Sequence, residues 1–423
     1  MLSEVKKLRF KRILFIGGNY FPEPIGIGKY NGEMIDMLSR EGHYCTVVTS
    51  YPYYPQWKVQ KPYAQKSLWF KKEVKYVDGN HESAAIQVYR CPQYIPSRPT
   101  GKARMMLDLT FFVSVFFLVI CLLFRKKYDL VIVVAPCFQL GLLGILYKKI
   151  KGAKFLYHIQ DLQIDVARDL KMIKSARIIS LLLKAEKYIL KKADIISSIS
   201  QGMIKKIKDK CNKNVVLFPN WVDTSLYFPV AEREALKKEF NFSPTDKIVL
   251  YSGAIGEKQG LENIIHIAKS LEHFNNLKFV ICGSGPYRDT LYTLQKTLSL
   301  KNVVFFQLQP LDKLNHFLNM ADIHLVLQKS NASDLVMPSK LTTILSVGGV
   351  SIITANKNSS LYQVVEANNM GVLVEPDNRG ELLAAIERTI NNDNAHINKN
   401  ARAYAEKFLS IQQVISGYTE YAF

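Results

Sequence analysis

The sequence predicts an α/β protein with two doubly wound halves of similar size. A chain of 423 residues is too long for a single hydrophobic core. Its hydrophobic content of 48% and its charged content of 22% are typical of a folded globular protein. Short apolar strands alternate with helices in the first half, and the same alternation restarts in the second half. We therefore expect two Rossmann-like domains that face each other across a cleft.

The first half begins with a predicted strand at Ile13–Gly18, a glycine-rich loop and a helix that ends near Gly42. A strand at Cys45–Ser50 leads into Tyr51–Trp57, a loop rich in aromatic residues and proline. Loops that follow parallel strands form the ligand crevice of open α/β sheets. The predicted elements that follow are an apolar helix, a strand in YDLVIVVAP, a helix in QLGLLGILYKKI, a strand in AKFLYHIQDL, a Lys-rich helix at 173–192 and a last strand in ADIISSIS.

The second half repeats this pattern after a predicted connector at 214–229. Two of its strands run into glycine loops, in KIVLYSGAIGEKQG and LKFVICGSGP. A further helix begins at Pro338, because proline is favourable in a first helical turn. The predicted domains are therefore residues 1–213 and 214–400, followed by a helical tail at 401–423.

The positive charge of the chain lies in its first half. Residues 1–220 contain 37 Lys and Arg against 16 Asp and Glu, whereas residues 221–423 contain 19 against 20, so the first half carries the whole net charge of +20. A basic half attracts nucleic acid or an anionic membrane surface. The segment Leu109–Phe124 favours the membrane, because it is apolar on every helical face and has cations on both sides.

At about 1.5 Å per residue this segment spans about 24 Å, which is less than the roughly 30 Å hydrocarbon core of a bilayer. We expect a monotopic helix that enters one leaflet, with a buried core helix and a spanning helix as the alternatives. No signal peptide is evident in the sequence. The expected location is the cytoplasm, with peripheral or monotopic attachment to the inner membrane. The six cysteines lack metal-type spacing, so we expect reduced thiols and no metal site.

The opening loop PEPIGIGKYNGE, residues 22–33, places three glycines between a strand and a helix, a pattern that suits a phosphate or a sugar. The spacing of Gly26, Gly28 and Gly32 differs from the G-x-G-x-x-G dinucleotide motif. Residues 42–72 contain no Asp or Glu that could bind a ribose. The loop therefore argues against NAD or FAD as a cofactor.

The second half offers better chemistry for a nucleotide diphosphate. Its loop glycines all follow predicted strands, and they are Gly253, Gly256, Gly260, Gly283 and Gly285. Lys258 lies between two of them. Lys340 lies in the first turn of a helix, where it adds a cation to free backbone N–H groups. We expect these loops to converge and to neutralise a diphosphate leaving group without a metal ion.

Seven motifs, in order along residues 12–400, resemble glycosyltransferase family 4 of the GT-B fold, and within it most of all the WcaI-like enzymes of colanic-acid-type exopolysaccharide synthesis. The motifs are YFPEPIGIGKYNGEM, VVTSYPYYPQW, YHIQDLQIDVA, LFPNWVD, YSGAIGEKQGLE, MPSKLTTILSVGGVSIIT and GVLVEPDN. The resemblance implies metal-independent, retaining transfer of a UDP- or GDP-linked hexose, with fucose as one candidate. The implied acceptor is a glycan on a polyprenyl diphosphate at the cytoplasmic face of the inner membrane.

By position, the resemblance gives the acceptor to residues 1–213 and the nucleotide sugar to residues 214–400. The implied donor-binding residues are Gly26, Ile27, Gly28, Gly253, Lys258, Gly283, Ser284, Gly285, Pro338, Ser339 and Lys340. The implied catalytic residues are Asp161, His158 and Lys340, with Asp161 nearest the reacting carbon. A helix N-cap is the alternative for Asp161, and an ordinary strand residue is the alternative for His158. The aromatic residues of the loop Tyr51–Trp57 either stack on sugar rings or form a packing cluster.

The chain departs from the family pattern at several donor-facing positions. Ala254 and Gln259 stand where the family often has Arg and Lys. The two family glutamates separated by seven residues would fall at Leu335 and Thr343, with Asp334 beside the first. These departures keep open a catalytically inactive partner of a glycan assembly complex that binds nucleotide sugar. A GT-B nucleotide-sugar 2-epimerase is a second alternative, because it shares the two Rossmann-like domains, but such enzymes need no apolar helix with flanking cations. Nucleic-acid binding has the least support, because no nucleic-acid motif accompanies the basic charge.

Overall fold

The structure, a computed structural model, consists of two compact units. It describes residues 11–23, 26–64, 67–77, 85–98, 100–169, 175–330 and 338–422. The first unit comprises the described residues up to 199 together with 203–218 and 419–422, and the second comprises 200–202 and 219–418. Each unit is built around its own sheet.

The first unit contains an eight-stranded sheet. Its strands are β1 (Arg12–Gly17), β2 (Tyr44–Ser50), β3 (Lys71–Tyr76), β4 (Ala85–Cys91), β5 (Leu130–Ala135), β6 (Lys154–Ile159), β7 (Ile195–Ser198) and β8 (Val215–Leu217). They are ordered β3-β4-β2-β1-β5-β6-β7-β8, and only β3 is antiparallel to its neighbour. The helices are α1 (Ile27–Arg40), α2 (Gly101–Leu123), α3 (Leu140–Lys151), α4 (Gln163–Asp169), α5 (Ala176–Lys192) and α6 (Gln201–Lys210).

The sequence pattern does not predict three of these strands. Four of the six residues of β3 are charged and its side chains alternate between half-buried and exposed, so this edge strand has no apolar run. Its antiparallel partner β4 is missed with it. Strand β8 lies in the segment 214–229, which the sequence pattern indicates as a connector, and it pairs in parallel with β7 as the last strand of the first sheet.

The second unit contains a six-stranded parallel sheet. Its strands are β9 (Lys247–Ser252), β10 (Leu277–Cys282), β11 (Val303–Phe306), β12 (Ile323–Val326), β13 (Ser351–Thr354) and β14 (Val372–Val374). Their order is β11-β10-β9-β12-β13-β14. The helices are α7 (Arg233–Glu239), α8 (Glu262–Ser270), α9 (Arg288–Thr297), α10 (Leu311–Asn319), α11 (Ser339–Ser346), α12 (Ser360–Asn368), α13 (Arg379–Asn391), α14 (Ala395–Tyr404) and α15 (Ile411–Ala422).

Residues beyond 400 contribute to the core of the second unit. Ala401, Ala405 and Leu409 are buried in its hydrophobic cluster. The backbone N–H of Val222 donates to the carbonyl of Leu409 at 2.8 Å, and the N–H of Ile411 donates back to Val222 at 3.1 Å. The helical tail predicted from the sequence is thus packed into this unit as far as Tyr418.

Strand order locates the expected ligand sites of both units. In the first sheet the order reverses at β1, which lies between β2 and β5, and in the second it reverses at β9, which lies between β10 and β12. Open α/β sheets bind ligands beyond the carboxyl ends of the strands at such switch points. The expected ligand sites therefore lie at the residues that follow β1, β5, β9 and β12.

Helix α2 is longer than the sequence predicts. Thr100 caps its start by accepting the backbone N–H of Ala103, and the helix continues for 23 residues, or about 34 Å. By length and composition it could cross a membrane, so the expectation that it is too short to span is wrong. One stripe of the helix, from Leu107 through Phe111 and Val115, is buried, and α2 packs against β2, β4 and α3.

The opposite side of α2 is exposed and apolar. Met105, Leu109, Val113 and Phe117 follow one another at every fourth position and are between 45% and 60% exposed. This spacing places them on one helical face. The helix therefore contributes one side to the core of the first unit and presents the other side as an apolar surface.

Candidate functional site

Two glycine loops of the second unit contact each other through their backbones. Gly253 follows β9, and Gly283 and Gly285 follow β10. The N–H of Ile255 donates to the carbonyl of Ser284 at 2.9 Å. A Cβ atom on Gly283 would lie 1.9 Å from the carbonyl oxygen of Gly253, and one on Gly285 would lie 2.1 Å from that of Ile255. Only glycine fits at these two positions, because real Cβ atoms do not approach so closely.

Lys340 lies beside these loops. It is the second residue of α11, which begins after Pro338 on the chain that leaves β12. Its Nζ atom is 4.0 Å from the ring centroid of Tyr251, and a Cβ on Gly253 would lie 3.6 Å from its Cδ atom. Burial lowers the pKa of Lys340 to about 7, while part of the side chain stays exposed. A nearby anion would favour its charged form.

The structure thus brings Gly253, Gly283 and Lys340 together at the carboxyl ends of β9 and β10, as the sequence predicts. Ser284, Gly285 and Ser339 are exposed, and Pro338 is half-buried. Their roles in binding a donor stay predictions.

Lys258 lies on a single 3₁₀ turn, Glu257–Gln259, with an exposed side chain. Its carbonyl accepts the backbone N–H of Lys329 at 2.9 Å. Gln259, which stands where the family often has Lys, closes the turn by accepting the N–H of Gly256 at 3.1 Å. Its amide therefore has a structural task here. Leu335 and Asp334 lie outside the described residues.

In the first unit, Glu23 joins the opening loop to the aromatic loop. Its side chain is only 2% exposed. Oε1 accepts the backbone N–H groups of Tyr53 and Tyr54 at 3.0 and 2.9 Å, and Oε2 accepts the amide of Asn19 at 2.8 Å. Burial raises the pKa of Glu23 even against these hydrogen bonds. The sequence pattern does not single out Glu23, although a carboxyl group between two prolines of a glycine-rich loop is a signal.

The three predicted residues of the opening loop lie next to Glu23. Gly26 has a φ of 64°, which favours glycine, and it precedes α1. Ile27 is the half-buried first residue of that helix. A Cβ on Gly28 would lie 2.7 Å from the Glu23 side chain, so Gly28 allows the carboxyl group to pack against the helix.

Arg90 on β4 is a second buried charge that fixes these loops. It is 2% exposed. Its Nη2 donates to the carbonyl of Phe21 at 2.6 Å and its Nη1 to that of Ser50 at 3.3 Å, while Nε pairs with Glu73 at 3.1 Å. The loops that follow β1 and β2 are thus held by one guanidinium. Since the sequence pattern does not predict β4, it could not predict this role.

His158 lies inside the first sheet, on β6. It is 2% exposed, its Nδ1 is 2.9 Å from the hydroxyl of Ser197, and its ring packs on Phe218. Burial lowers its pKa to about 3, so the ring stays neutral at ordinary pH. This placement does not support the predicted catalytic role of His158, and it matches the alternative of a strand residue.

Asp161 follows β6 at the carboxyl edge of the sheet. The residue is exposed, yet partial desolvation of its carboxyl group raises the pKa of Asp161. The hydrogen bond from the N–H of Leu162 and the charge of Arg104 oppose that rise. Helix α4 begins two residues later, at Gln163, so Asp161 is not the residue directly before the helix. The structure places Asp161 where a substrate could reach it, and its catalytic role stays a prediction.

Helix α2 brings two charged residues to the same edge. Oδ2 of Asp108 accepts the amide of Gln163 at 3.2 Å. Burial raises the pKa of Asp108 to about 6. The guanidinium of Arg104, one turn earlier, lies 5.2 Å from the ring centroid of Trp57. The sequence pattern does not single out Asp108, because this residue precedes the apolar segment that predicts the helix.

The aromatic loop forms a packing cluster, and its predicted stacking on sugar rings stays a prediction. Tyr53 is 7% exposed and packs on Trp57 with ring centroids 5.7 Å apart, which is a packing contact. Tyr54 is exposed and Trp57 is half-buried, so their rings remain accessible. Among the residues that the structure describes, no group of three or more His, Cys, Asp or Glu side chains could hold a metal ion.

Comparison with known proteins identifies the family. The model for "Glycosyl transferases group 1" matches residues 232–408. The "Putative colanic acid biosynthesis glycosyl transferase WcaI" of Escherichia coli K12 is 38% identical over 412 residues, which cover 96% of this chain and 98% of that protein. The chain belongs to the group 1 glycosyltransferases. Its predicted membership is thus confirmed.

Solved structures show the same fold. Sucrose-phosphate synthase from Thermosynechococcus elongatus superposes with a TM-score of 0.71 at 15% identity, covering 97% of this chain and 98% of that one. Anabaena HepE in complex with UDP gives 0.67 at 14% identity, and WaaG, a glycosyltransferase of lipopolysaccharide biosynthesis, gives 0.64 at 14%. Each covers 97% of this chain and 99% of that one. These neighbours confirm the predicted GT-B fold with two Rossmann-like sheets.

Proposed function

We propose that this group 1 glycosyltransferase is a retaining, metal-independent hexosyltransferase of family 4. It takes a hexose, with fucose as one candidate, from a UDP- or GDP-linked donor and transfers it to a lipid-linked glycan. The pathway is bacterial exopolysaccharide, capsule or O-antigen synthesis. Two comparisons support this proposal: the name of the E. coli relative refers to colanic acid biosynthesis, and Anabaena HepE was solved with UDP and with UDP-glucose.

The position of Lys340 beside the glycine loops carries the proposal. A nucleotide sugar leaves as a diphosphate, and the charge that develops on it must be stabilised. The loops at Gly253 and Gly283 offer bare backbone, and the first turn of α11 offers free N–H groups with the positive end of the helix dipole. Lys340 adds a cation at the same place. These groups could bind a diphosphate.

The proposed transfer forms a bond between an acceptor oxygen and the anomeric carbon, and it breaks the bond from that carbon to the diphosphate. The acceptor hydroxyl gives its proton to an oxygen of the departing diphosphate. Asp161 is the proposed polar contact nearest the reacting carbon. No side chain has to form a covalent bond with the sugar. The protein therefore contributes mainly by positioning the substrates and stabilising charge.

The proposed acceptor is anchored in the cytoplasmic face of the inner membrane, with the enzyme attached there peripherally or monotopically. The exposed apolar face of α2 and the basic first half of the chain support this location. Because α2 also packs on the sheet, we propose that it lies on the membrane rather than across it.

A thermal-shift panel tests the donor site. Detergent-purified protein is heated with UDP, GDP, ADP, CMP or NAD at equal concentration. A ligand that binds only the folded state adds about 2.7 kcal/mol of stability at about 100 times its dissociation constant. We expect a shift with UDP or GDP that is lost in Lys340→Ala and reduced in Lys258→Ala.

Lys296→Ala is the matched control. Lys296 also lies over a tyrosine ring, 4.5 Å from the centroid of Tyr292, but it belongs to α9 on the same unit. Its removal should leave the nucleotide shift intact. If no nucleotide stabilises the wild type, the departures at Leu335 and Thr343 become decisive. The proposal then gives way to a non-catalytic partner that holds a glycan assembly complex together.

A further inference from the structure

Asp108 is an unusual residue for its helix. The sequence of α2 contains only three charged side chains, Lys102, Arg104 and Asp108, and the residues after Asp108 are apolar or small. A carboxylate is costly to bury, and a residue with a purely structural task there needs no charge, because an amide could accept the same hydrogen bond. A structural role alone therefore does not explain the charge of Asp108.

The contacts of Asp108 place it at the carboxyl edge of the first sheet. Its Oδ2 accepts the amide of Gln163, which lies in the first turn of the helix after β6. Its backbone carbonyl accepts the thiol of Cys137 from the loop after β5, at 3.9 Å. The charge of Arg104 acts on Asp108, and the guanidinium of Arg104 contacts Trp57 in the loop after β2. Asp108 thus lies among the loops that follow three strands.

The carboxylate of Asp108 has unused acceptor capacity. An ionised carboxylate can accept about four hydrogen bonds. Among the residues that the structure describes, one side chain, that of Gln163, donates to it. The surroundings raise its pKa to about 6, so the hydrogen bond from Gln163 and the charge of Arg104 do not compensate fully for burial. A bound group with O–H donors would compensate further.

Helix α2 also joins this edge to the apolar surface described above. Its first two turns hold Arg104 and Asp108, and its exposed face continues from Met105 to Phe117. A lipid-linked sugar has a polar part that donates hydrogen bonds and an apolar part that stays in the bilayer. A single helix that offers a carboxylate at one end and an apolar face along its length fits such a molecule.

We infer that Asp108 is an acceptor-binding residue that accepts a hydrogen bond from a hydroxyl group of the lipid-linked acceptor sugar. This inference rests on the proposed function and makes it more specific. It adds one residue of the first unit to the proposed binding of the acceptor.

The test compares Asp108→Asn with the wild type. Asparagine keeps the size and the acceptor for Gln163 but removes the charge. Two equilibrium constants are measured by calorimetry in detergent: one for a short-chain probe, farnesyl diphosphate-linked glucose, and one for UDP or GDP. A hydrogen bond to a charged group corresponds to about 10- to 100-fold in affinity. We expect Asp108→Asn to lower the affinity for the glycolipid probe by at least about 10-fold. The affinity for the nucleotide should change by less than about twofold.

Asp129→Asn is the control. Asp129 is an exposed carboxylate of the same unit that accepts the backbone N–H of Arg12 at 2.8 Å, beside the amino end of β5. The Asp129→Asn variant should bind the glycolipid probe and the nucleotide with the affinities of the wild type. Equal glycolipid binding by Asp108→Asn and the wild type, or no glycolipid binding by the wild type, would overturn the inference. So would equal weakening of both ligands, which indicates a structural role. Absence of nucleotide binding in the wild type would instead count against the proposed function alone.

Discussion

The two units share one alternation of strands and helices, yet they fix the loops at the ends of their strands by different means. In the second unit the loops at Gly253 and Gly283 lie backbone against backbone, which only glycine allows. In the first unit the loops are held by two buried charged side chains, Glu23 and Arg90. The second unit thus presents bare backbone, and the first presents side chains.

This difference matches two kinds of recognition. Bare backbone suits the diphosphate of a UDP- or GDP-linked sugar, because the phosphate oxygens accept hydrogen bonds from N–H groups whatever the sugar. Side chains suit a partner that varies from one enzyme to the next, because they can be exchanged singly. The acceptor is such a partner in the proposed function.

The largest effect is expected from Gly283→Ala. The added Cβ would lie 1.9 Å from the carbonyl of Gly253, so one of the two loops has to move. We expect the free energy of unfolding to fall by about 3 kcal/mol or more and nucleotide binding to be lost. Urea unfolding and the thermal shift with UDP or GDP measure these changes.

Gly417→Ala is the control for this substitution. A Cβ on Gly417 meets nothing within 4 Å, and the residue is exposed in α15. Alanine in a helix should add roughly 0.5–1 kcal/mol of stability. Nucleotide binding by Gly283→Ala at the wild-type level would mean that the contact between the loops is not needed for the site.

A smaller effect is expected from Glu23→Ala, which tests how the first unit fixes its loops. The substitution leaves the buried N–H groups of Tyr53 and Tyr54 without their acceptor. We expect the free energy of unfolding to fall by about 2–4 kcal/mol. Glu23→Gln keeps an oxygen for both N–H groups and should cost only about 1 kcal/mol, as measured by urea unfolding.

Glu33→Ala serves as the comparison, because Glu33 forms an ion pair with Lys29 at 3.8 Å with both side chains about a third exposed. Such a pair contributes between about 0 and 1 kcal/mol. If Glu23→Ala costs no more than Glu33→Ala, side chains do not fix the loops of the first unit and the contrast between the units is wrong.

The sequence predicted the second unit better than the first for a physical reason. Glycines at strand ends and an apolar run before them are local signals, so the group of Gly253, Gly283 and Lys340 could be predicted from spacing. Glu23, Arg90 and Asp108 act through partners far away in the chain. Arg90, for example, bonds with Phe21, which is 69 residues distant. No local pattern reports such a contact, and the polar edge strand β3 lacks the apolar run that marks a strand.

An intermediate effect is expected at the apolar face of α2, which distinguishes the first unit from the second. Val113 and Phe117 are 45% and 60% exposed. If this face enters a bilayer, the double variant Val113→Ser/Phe117→Ser should bind vesicles of phosphatidylglycerol and phosphatidylethanolamine about 10- to 100-fold more weakly. Co-sedimentation measures the affinity for vesicles. Added salt should weaken the binding of the wild type to vesicles, because anionic lipids attract the basic half of the chain.

Leu181→Ser is the control, since Leu181 is 67% exposed on α5 of the same unit. It should bind vesicles like the wild type. Unchanged binding by the double variant would show that the exposed side of α2 has another task.

The smallest effect is expected from a change of pH, which should alter the nucleotide affinity of the second unit through Lys340. Lys340 has a pKa of about 7 in the free protein, and a bound diphosphate favours its charged form, so the pKa rises in the complex. Binding then takes up a proton above pH 7. Affinity for UDP or GDP should fall by about 10-fold between pH 6 and pH 8.5, as measured by calorimetry in buffers of different ionisation enthalpy.

Lys340→Arg separates this effect from the titration of the nucleotide itself. Arginine stays charged throughout the range. The nucleotide affinity of Lys340→Arg should therefore depend on pH only through the ionisation of the nucleotide phosphate, which affects the wild type equally. The difference between the two pH profiles therefore isolates Lys340. If the profiles are parallel, the ammonium of Lys340 does not contact the diphosphate, and the second unit binds its nucleotide through other groups.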